Sequence, residues 1–235
     1  MEIQNSHVIV TGGSSGIGRE TARAFIAEGA KVLITGRDKE KVDSVAAEIG
    51  AIPFQFDISN LESIPEKAKE LVALLDGKVD TLVNNAGIGM LAKLGEIPLE
   101  HFQKVYNTNV FGFALFTQEI LPYFLEKQYG NIINVGSTGS HKGAAGGSVY
   151  AGTKHAVLAM TRCWQIELRK FNIRVSQINP SEVTTAFANN DDRTEREELD
   201  NKLGAADIAQ AIVSMVELRD KAFVTEMTVF ATNPF

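Results

Sequence analysis

The sequence predicts one α/β domain in which a doubly wound, seven-stranded parallel sheet carries helices on both faces. Its length of 235 residues suits a single large domain. Seven short apolar runs alternate with helix-length segments, as expected for a parallel sheet flanked by helices. Most of these runs are rich in Val and Ile and almost continuously apolar, which is typical of strands covered on both faces. We therefore treat residues 1–235 as one domain without a linker or repeat.

The predicted strands are spaced so that a helix fits between each pair. They are His7–Thr11, Lys31–Thr35, Ala51–Phe56, Thr81–Asn84, Asn131–Gly136, Ile173–Ile178 and Phe223–Phe230. One long helix is predicted over Pro98–Glu126. Ligands of such sheets bind beyond the carboxyl ends of the strands, so the residues that directly follow the strands are the first functional candidates.

Composition narrows the classes of function. Lys and Arg total 23 and Asp and Glu total 29, so the net charge is −6. An acidic chain without a basic run is a poor binder of nucleic acid or of an anionic membrane. Cys163 is the only cysteine, which excludes an intramolecular disulfide framework and a cysteine-rich zinc site, and we expect no metal. Without a membrane-spanning apolar run or a signal peptide, we expect a cytoplasmic protein.

A glycine-rich turn, TGGSSGIG at 11–18, follows the first predicted strand and opens a helix. Glycine permits a tight turn and a close backbone approach to phosphate, and the helix N-terminus supplies N–H groups and a positive dipole end. The same stretch fits a hydrolase nucleophile elbow, but it lies on the first strand and lacks an evident histidine partner, which disfavours that interpretation. The predicted ligand contacts are Gly12, Ser14, Ser15, Gly16, Ile17 and Gly18.

The end of the second strand indicates which dinucleotide would bind. An acid there binds the ribose 2′-hydroxyl of NAD, whereas an Arg suits the 2′-phosphate of NADP. Here Gly36 occupies the position of the acid and Arg37 follows it, which favours NADP(H) over NAD(H). The alternative is a solvated Arg37 at the start of the next helix. Asp38 could weaken the preference by pairing with Arg37, but we expect it to cap that helix.

Tyr150 and Lys154 are four residues apart and share one face of a predicted helix. An ammonium ~4 Å from the phenol at an effective dielectric of ~20 is worth about 4 kcal/mol, so we predict that Lys154 lowers the pKa of Tyr150 by at most about three units. Tyr123 and Lys127 have the same spacing, but they end the helix before the fifth strand and belong at the opposite edge of the sheet.

Two polar residues accompany this pair. Ser137 follows the fifth strand and can hydrogen-bond a substrate carbonyl, although a turn serine is the alternative. Asn109 lies on the apolar stripe of the long predicted helix, where a buried amide costs about 1–3 kcal/mol unless it is bonded; a satisfied core asparagine is the alternative. The stripe comprises Leu99, Phe102, Val105, Tyr106, Phe113 and Phe116.

Together these motifs resemble the short-chain dehydrogenase/reductase family over essentially the whole chain, which implies a Rossmann-type fold. Residues 11–18 resemble its TGxxxGxG motif, residues 84–87 reproduce NNAG, and residues 180–185 (PSEVTT) resemble PGxVxT. The serine and the tyrosine of the family's catalytic tetrad are 13 residues apart here, as is usual in the family. The tetrad positions are Asn109, Ser137, Tyr150 and Lys154.

The resemblance implies a role for each tetrad residue. Tyr150 would be the general acid or base, and Lys154 would bind the nicotinamide ribose and lower the pKa of Tyr150. Ser137 would orient the carbonyl, and Asn109 would hold a water in a proton relay from Lys154. The resemblance also implies contacts of Asp57 with adenine and of the PSEVTT backbone with the nicotinamide carboxamide. The further implied cofactor contacts are Ile58, Asn85, Ala86, Gly87, Tyr150, Lys154, Pro180, Val183 and Thr185.

The expected function is the NADP(H)-dependent reduction of a small ketone or aldehyde by hydride transfer, with Tyr150 as proton donor, as in compact oxoacyl and carbonyl reductases. The alternatives are an NAD(P)-dependent alcohol dehydrogenase working oxidatively and a non-catalytic NADP-binding sensor. The substrate would lie between residues 88–97, 138–149 and a lid at about 185–203. Candidate wall residues are Met90, Leu91, His141 and Phe187.

Three departures from the family pattern concern the last third of the chain. Ser181 replaces the glycine of the PG motif, and Glu226 stands where many relatives have glycine. The usual Asp-Gly-Gly ending is also missing. That segment often builds a subunit interface in the family, so we expect a homodimer or a homotetramer, with the choice left open.

Overall fold

The computed structural model describes residues 1–185, 187 and 199–234. The strands are β1 (His7–Val10), β2 (Lys31–Gly36), β3 (Ile52–Gln55), β4 (Thr81–Asn84), β5 (Gly130–Val135), β6 (Ile173–Pro180) and β7 (Glu226–Val229). The α-helices within these ranges are α1 (Gly16–Ala27), α2 (Lys39–Ile49), α3 (Ile64–Ala73), α4 (Leu99–Tyr106), α5 (Phe113–Lys127), α6 (Ser148–Leu168) and α7 (Ala205–Glu217). None of them is long and apolar enough to cross a membrane.

The strands form one seven-stranded sheet in the order β3-β2-β1-β4-β5-β6-β7, and every pairing is parallel. This confirms the predicted doubly wound fold. The order reverses between β1 and β4, so the crevice at their carboxyl ends is the place where such sheets bind ligands. The predicted strand ends are correct to within two residues except at β7, which begins three residues later than Phe223.

Both faces of the sheet are covered because successive side chains of a strand point in opposite directions. Val8 and Val10 pack into the core that includes α1, α2 and α7. Ile9, between them, packs into the core that includes α3 and α5. The nearly continuous apolar runs in the sequence are therefore explained by burial on both sides.

The predicted helix over Pro98–Glu126 is confirmed as a continuous helical run from Leu99 to Lys127, in which a π-helical segment at Asn107–Gly112 lies between α4 and α5. A Cβ at Gly112 would lie 2.2 Å from the Ile58 carbonyl oxygen, so the segment presses its backbone against the loop after β3. The wider turn changes the phase of the helix faces. Of the predicted apolar stripe, Leu99 and Phe102 are exposed, whereas Val105, Phe113 and Phe116 are buried.

Candidate active site

The predicted site residues surround one cavity of about 480 Å³ at the carboxyl ends of the central strands. The cavity reaches from Arg37, after β2, to Tyr150, on α6. Every predicted catalytic and cofactor-binding residue lines it except Gly18 and Asn109, which lie directly behind its wall. Residues from both halves of the sheet therefore meet at one place, as an elongated ligand requires.

The glycine-rich turn has the geometry of a phosphate cradle. Gly12 and Gly16 adopt positive φ angles of 66° and 50°. A Cβ at Gly18 would lie 2.3 Å from the Gly12 carbonyl oxygen, so only glycine lets α1 pack this closely on the turn. Ser15, the N-cap of α1, makes no side-chain cap hydrogen bond. The first N–H groups of α1 thus favour an anion at the cavity wall, where Gly16 and Ile17 lie.

Thr11 and Asn85 tie this turn to the end of β4. Thr11 Oγ1 accepts hydrogen bonds from the backbone N–H groups of Asn85 and Ala86, each at 3.0 Å. In return Asn85 Nδ2 donates to the carbonyl oxygens of Thr11 and Gly12, each at 3.0 Å. Sequence reasoning did not single out Thr11, although its place as the first residue of the glycine-rich motif was a signal.

The end of β2 is tightly packed at Gly36, the residue before Arg37. A Cβ at Gly36 would lie 2.6 Å from Val42 Cγ2 and 2.8 Å from Ser14 Oγ, so no larger side chain fits without displacement. The Arg37 side chain is exposed at the mouth of the cavity. Asp38 accepts from the Lys41 N–H at 3.1 Å, which confirms it as the N-cap of α2.

Asp57 and Ile58 form the cavity wall after β3. Asp57 Oδ1 accepts hydrogen bonds from the Ser59 backbone N–H at 2.9 Å and from Ser59 Oγ at 2.7 Å. These bonds hold the loop in a fixed turn. At the other end of the cavity, Pro180, Val183 and Thr185 form the wall after β6.

Burial acts on Tyr150 and Lys154 in opposite directions. It raises the pKa of Tyr150, and the hydrogen bond with Ser137 offsets part of that rise. The predicted lowering of the Tyr150 pKa is therefore wrong for this structure, in which Lys154 Nζ lies 5.8 Å from the centre of the phenol ring. Lys154 is 6% exposed and donates to the Val135 carbonyl oxygen at 2.8 Å. Burial lowers the pKa of Lys154 to about 8.

Ser137 is prepared to act as a hydrogen-bond donor. Its Oγ accepts from the Gly139 N–H at 3.0 Å, within the short turn that follows β5. Because a hydroxyl carries one hydrogen, that hydrogen stays available for the Tyr150 oxygen or for a ligand in the cavity.

Asn109 lies on the π-helical segment and is 2% exposed. Its Oδ1 accepts from the Ile88 N–H at 2.9 Å, and its Nδ2 donates to the Ile88 carbonyl oxygen at 2.8 Å and to Thr153 Oγ1 at 3.1 Å. Thr153 Oγ1 donates in turn to the Tyr150 carbonyl oxygen at 2.7 Å. Asn109 therefore joins the loop after β4 to the helix that carries Tyr150, and its water-holding role stays a prediction.

The structure places only one of the predicted wall residues at the cavity. The Phe187 ring centre lies 5.5 Å from that of Tyr150, and Phe187 lines the cavity. His141, Met90 and Leu91 are outside the described cavity wall. Most of the predicted lid at 185–203, namely 186 and 188–198, is outside the described residues.

Comparison with known proteins decides the family. Residues 6–196 match the family model described as short chain dehydrogenase. The chain belongs to the short-chain dehydrogenase family. Because its cavity also offers the cradle and cleft that a dinucleotide needs, this short-chain dehydrogenase is an oxidoreductase that uses a nicotinamide dinucleotide.

Several characterised proteins are similar to it along nearly their whole length. The NADP-dependent 3-hydroxy acid dehydrogenase of Schizosaccharomyces pombe is 31% identical over 241 residues, covering 96% of this chain and 92% of that protein. The closed form of serine dehydrogenase complexed with NADP+ has a TM-score of 0.87 at 30% identity, with 95% and 94% covered. The 3-ketoacyl-(acyl-carrier-protein) reductase from Brucella melitensis complexed with NADH has a TM-score of 0.88 at 29% identity, with 99% and 100% covered.

Proposed function

We propose that this short-chain dehydrogenase reduces a small ketone or aldehyde to an alcohol with NADPH, and that Tyr150 donates the proton. The convergence of Tyr150, Ser137 and Lys154 on the cavity that the glycine-rich turn also lines carries the proposal. Burial raises the pKa of this phenol, so it keeps its proton at neutral pH and is ready to act as an acid.

The remaining tetrad residues prepare the proton transfer. Ser137 donates its hydroxyl hydrogen to the substrate carbonyl oxygen, since Gly139 already occupies one acceptor position of Ser137 Oγ. Lys154 is mostly protonated at neutral pH and has further N–H groups besides the one bonded to Val135, which suit ribose hydroxyls. Asn109 holds the Ile88 backbone and a water in the relay that returns a proton to Tyr150.

The cofactor would supply the hydride, and we propose a place in the cavity for each of its parts. The glycine-rich turn binds the pyrophosphate, Asp57 and Ile58 contact the adenine, and Asn85, Ala86 and Gly87 line the centre of the cleft. Pro180, Val183 and Thr185 hold the nicotinamide end. All of these residues line one continuous cavity, which supports the assignment.

The preference for NADPH rests on the end of β2. Gly36 leaves no carboxylate to bind a 2′-hydroxyl, and the exposed Arg37 guanidinium can bind a 2′-phosphate with two charge-assisted hydrogen bonds. The NADP-dependent hydroxy acid dehydrogenase and the serine dehydrogenase bound to NADP+ support this choice. The reductase complexed with NADH makes a direct comparison of the two cofactors necessary.

The test follows cofactor absorbance with NADPH and NADH against diketones, aldehydes, oxoacyl esters and quinones. We expect NADPH oxidation that Tyr150→Phe abolishes. Tyr123→Phe is the matched control, because Tyr123 is also four residues before a lysine, Lys127. Both residues belong to α5, and Lys127 pairs with Asp80 at the amino end of β4, away from the cavity. Oxidation of alcohols alone would refute the direction, and tight NADPH binding without any turnover would favour a sensor.

We also propose that the protein forms a homodimer or a homotetramer. Several large apolar side chains of the α4–α5 region are exposed, which is typical of surfaces that another subunit covers. Sedimentation equilibrium tests this, and Phe111→Asp is expected to shift the protein towards the monomer. A wild-type monomer at micromolar concentration would refute it. The exposed apolar residues are Leu99, Phe102, Phe111 and Leu115.

A further inference from the structure

A chain of hydrogen bonds leads from the edge of the sheet towards the turn after β5. It begins at Glu226, the first residue of β7, whose carboxylate pairs with His141 and with Arg162. Glu226 Oε1 accepts from Asn179 Nδ2 at 2.8 Å, and Asn179 Oδ1 accepts from Gln177 Nε2 at 2.7 Å. Both amide side chains come from β6 and are completely buried.

The inner end of this chain reaches the proposed catalytic serine. Gln177 Nε2 also donates to Ser140 Oγ at 3.3 Å, and Ser140 Oγ accepts from the Ser137 backbone N–H at 3.2 Å. The Ser140 N–H donates back to the Ser137 carbonyl oxygen at 2.8 Å. A Cβ at Gly136 would lie 2.3 Å from Asn179 Oδ1. The buried amides therefore lie directly against the backbone that carries Ser137.

The outer end fixes the direction of every bond in the chain. An ionised carboxylate only accepts hydrogen bonds, so Glu226 requires Asn179 to turn its NH₂ group outward and its Oδ1 towards Gln177. Gln177 must then donate through Nε2, while its Oε1 accepts from Thr161 Oγ1 at 3.1 Å. In this orientation Ser140 Oγ accepts from both Gln177 Nε2 and the Ser137 N–H, so both of its acceptor positions are filled.

We propose that Glu226 is a positioning residue for the reaction, because its carboxylate sets the polarity of the Asn179–Gln177–Ser140 chain and thereby holds the Ser137 turn. Glu226 acts on the reaction through the turn that carries Ser137, which it reaches through the amide chain and through His141, since its own side chain is outside the described cavity wall. The kinetic consequence rests on the proposed function, in which Ser137 orients the carbonyl.

The kinetic test compares Glu226→Ala and Glu226→Gln in the full chain. A small misplacement of a catalytic group costs up to about 100-fold in rate, and we expect a fall in kcat of about tenfold for Glu226→Ala with the KM for NADPH unchanged. Glu226→Gln keeps an acceptor oxygen for Asn179 and retains most of the rate. In a Ser137→Ala background, Glu226→Ala causes no further loss. Glu48→Ala, which removes an exposed carboxylate paired with Arg23, is the control.

Hydrogen exchange of the segment 136–141 gives a measurement that does not depend on turnover. Exchange of this segment is expected to accelerate in Glu226→Ala and to stay unchanged in Glu226→Gln and Glu48→Ala. An unchanged kcat in an active enzyme, or an equal loss in the Ser137→Ala background, overturns the proposal. If the wild type reduces no carbonyl, the proposed function fails, and the exchange of 136–141 alone decides whether Glu226 orders the turn.

Discussion

Replacing Lys154 with methionine removes a buried ammonium from the centre of the domain. Burial lowers the pKa of Lys154 from 10.5 to about 8. One pKa unit corresponds to about 1.4 kcal/mol, so the protonated side chain destabilises the folded protein by about 3 kcal/mol. Loss of the hydrogen bond to Val135 offsets about 1–2 kcal/mol. We therefore expect Lys154→Met to raise the free energy of unfolding at pH 7 by about 1–2 kcal/mol.

The increase in the free energy of unfolding that Lys154→Met causes depends on pH. The pKa of Lys154 is lower in the folded protein than in the unfolded chain, so the unfolded chain binds the extra proton between about pH 8 and pH 10.5. Stability of the wild type therefore rises with pH across this window, whereas the methionine variant has no group to titrate. The advantage of the variant is complete at about pH 7 and below, and it disappears by pH 9.5, where the wild type has gained about 2 kcal/mol.

Urea unfolding at pH 7 and pH 9.5, followed by fluorescence of Trp164, measures both effects. Trp164 is the only tryptophan and stacks on the Phe113 ring with a centroid separation of 5.1 Å. Lys69→Met, at an exposed position of α3, is the matched control and is expected to show neither effect. A variant less stable than the wild type at pH 7, or an advantage that does not change with pH, would refute the reasoning.

Three further results are expected. Arg37→Ala should raise the KM for NADPH about tenfold and leave that for NADH unchanged, since an exposed charge-assisted contact is worth about 1.5 kcal/mol; equal effects on both would contradict its role. For reduction, kcat/KM should fall above about pH 8, where Lys154 loses its proton; a flat profile to pH 9.5 would count against it. Gly18→Ala should lower Tm by about 5 °C through overpacking; Gly143→Ala, which meets nothing within 4 Å, is the control.

The sheet could be predicted from the sequence because strands that are buried on both faces consist of nearly continuous apolar residues. All residues of β4, β5 and β6 are buried, and their apolar runs coincide with the strands to within two residues. β7 pairs on one side only and its residues are partly exposed. Its apolar run therefore extends beyond the paired segment, and the predicted strand was too long.

The site could be predicted where its residues follow strands in short motifs, as Gly12, Arg37 and Ser137 do. The environment of Asn109 could not, because a π-helical turn depends on the approach of Gly112 to the loop after β3, which lies more than 50 residues away in the chain. The sign of the Tyr150 pKa shift also depends on burial by the whole fold. The four-residue spacing of Tyr150 and Lys154 indicated only that the ammonium would attract a phenolate, which lowers the pKa of Tyr150.

The pKa values of Tyr150 and Lys154 shift in opposite directions for one reason, and the two shifts suit different steps of the proposed proton transfer. Burial disfavours any charge, so it keeps the proton on the phenol and loosens the proton on the ammonium. An acid with a raised pKa holds its proton firmly, and it must be protonated again after each transfer. Lys154, with a pKa of about 8, exchanges protons near neutral pH and is suited to that restoring role. The destabilising burial of Lys154 is therefore the same property that makes it useful to Tyr150.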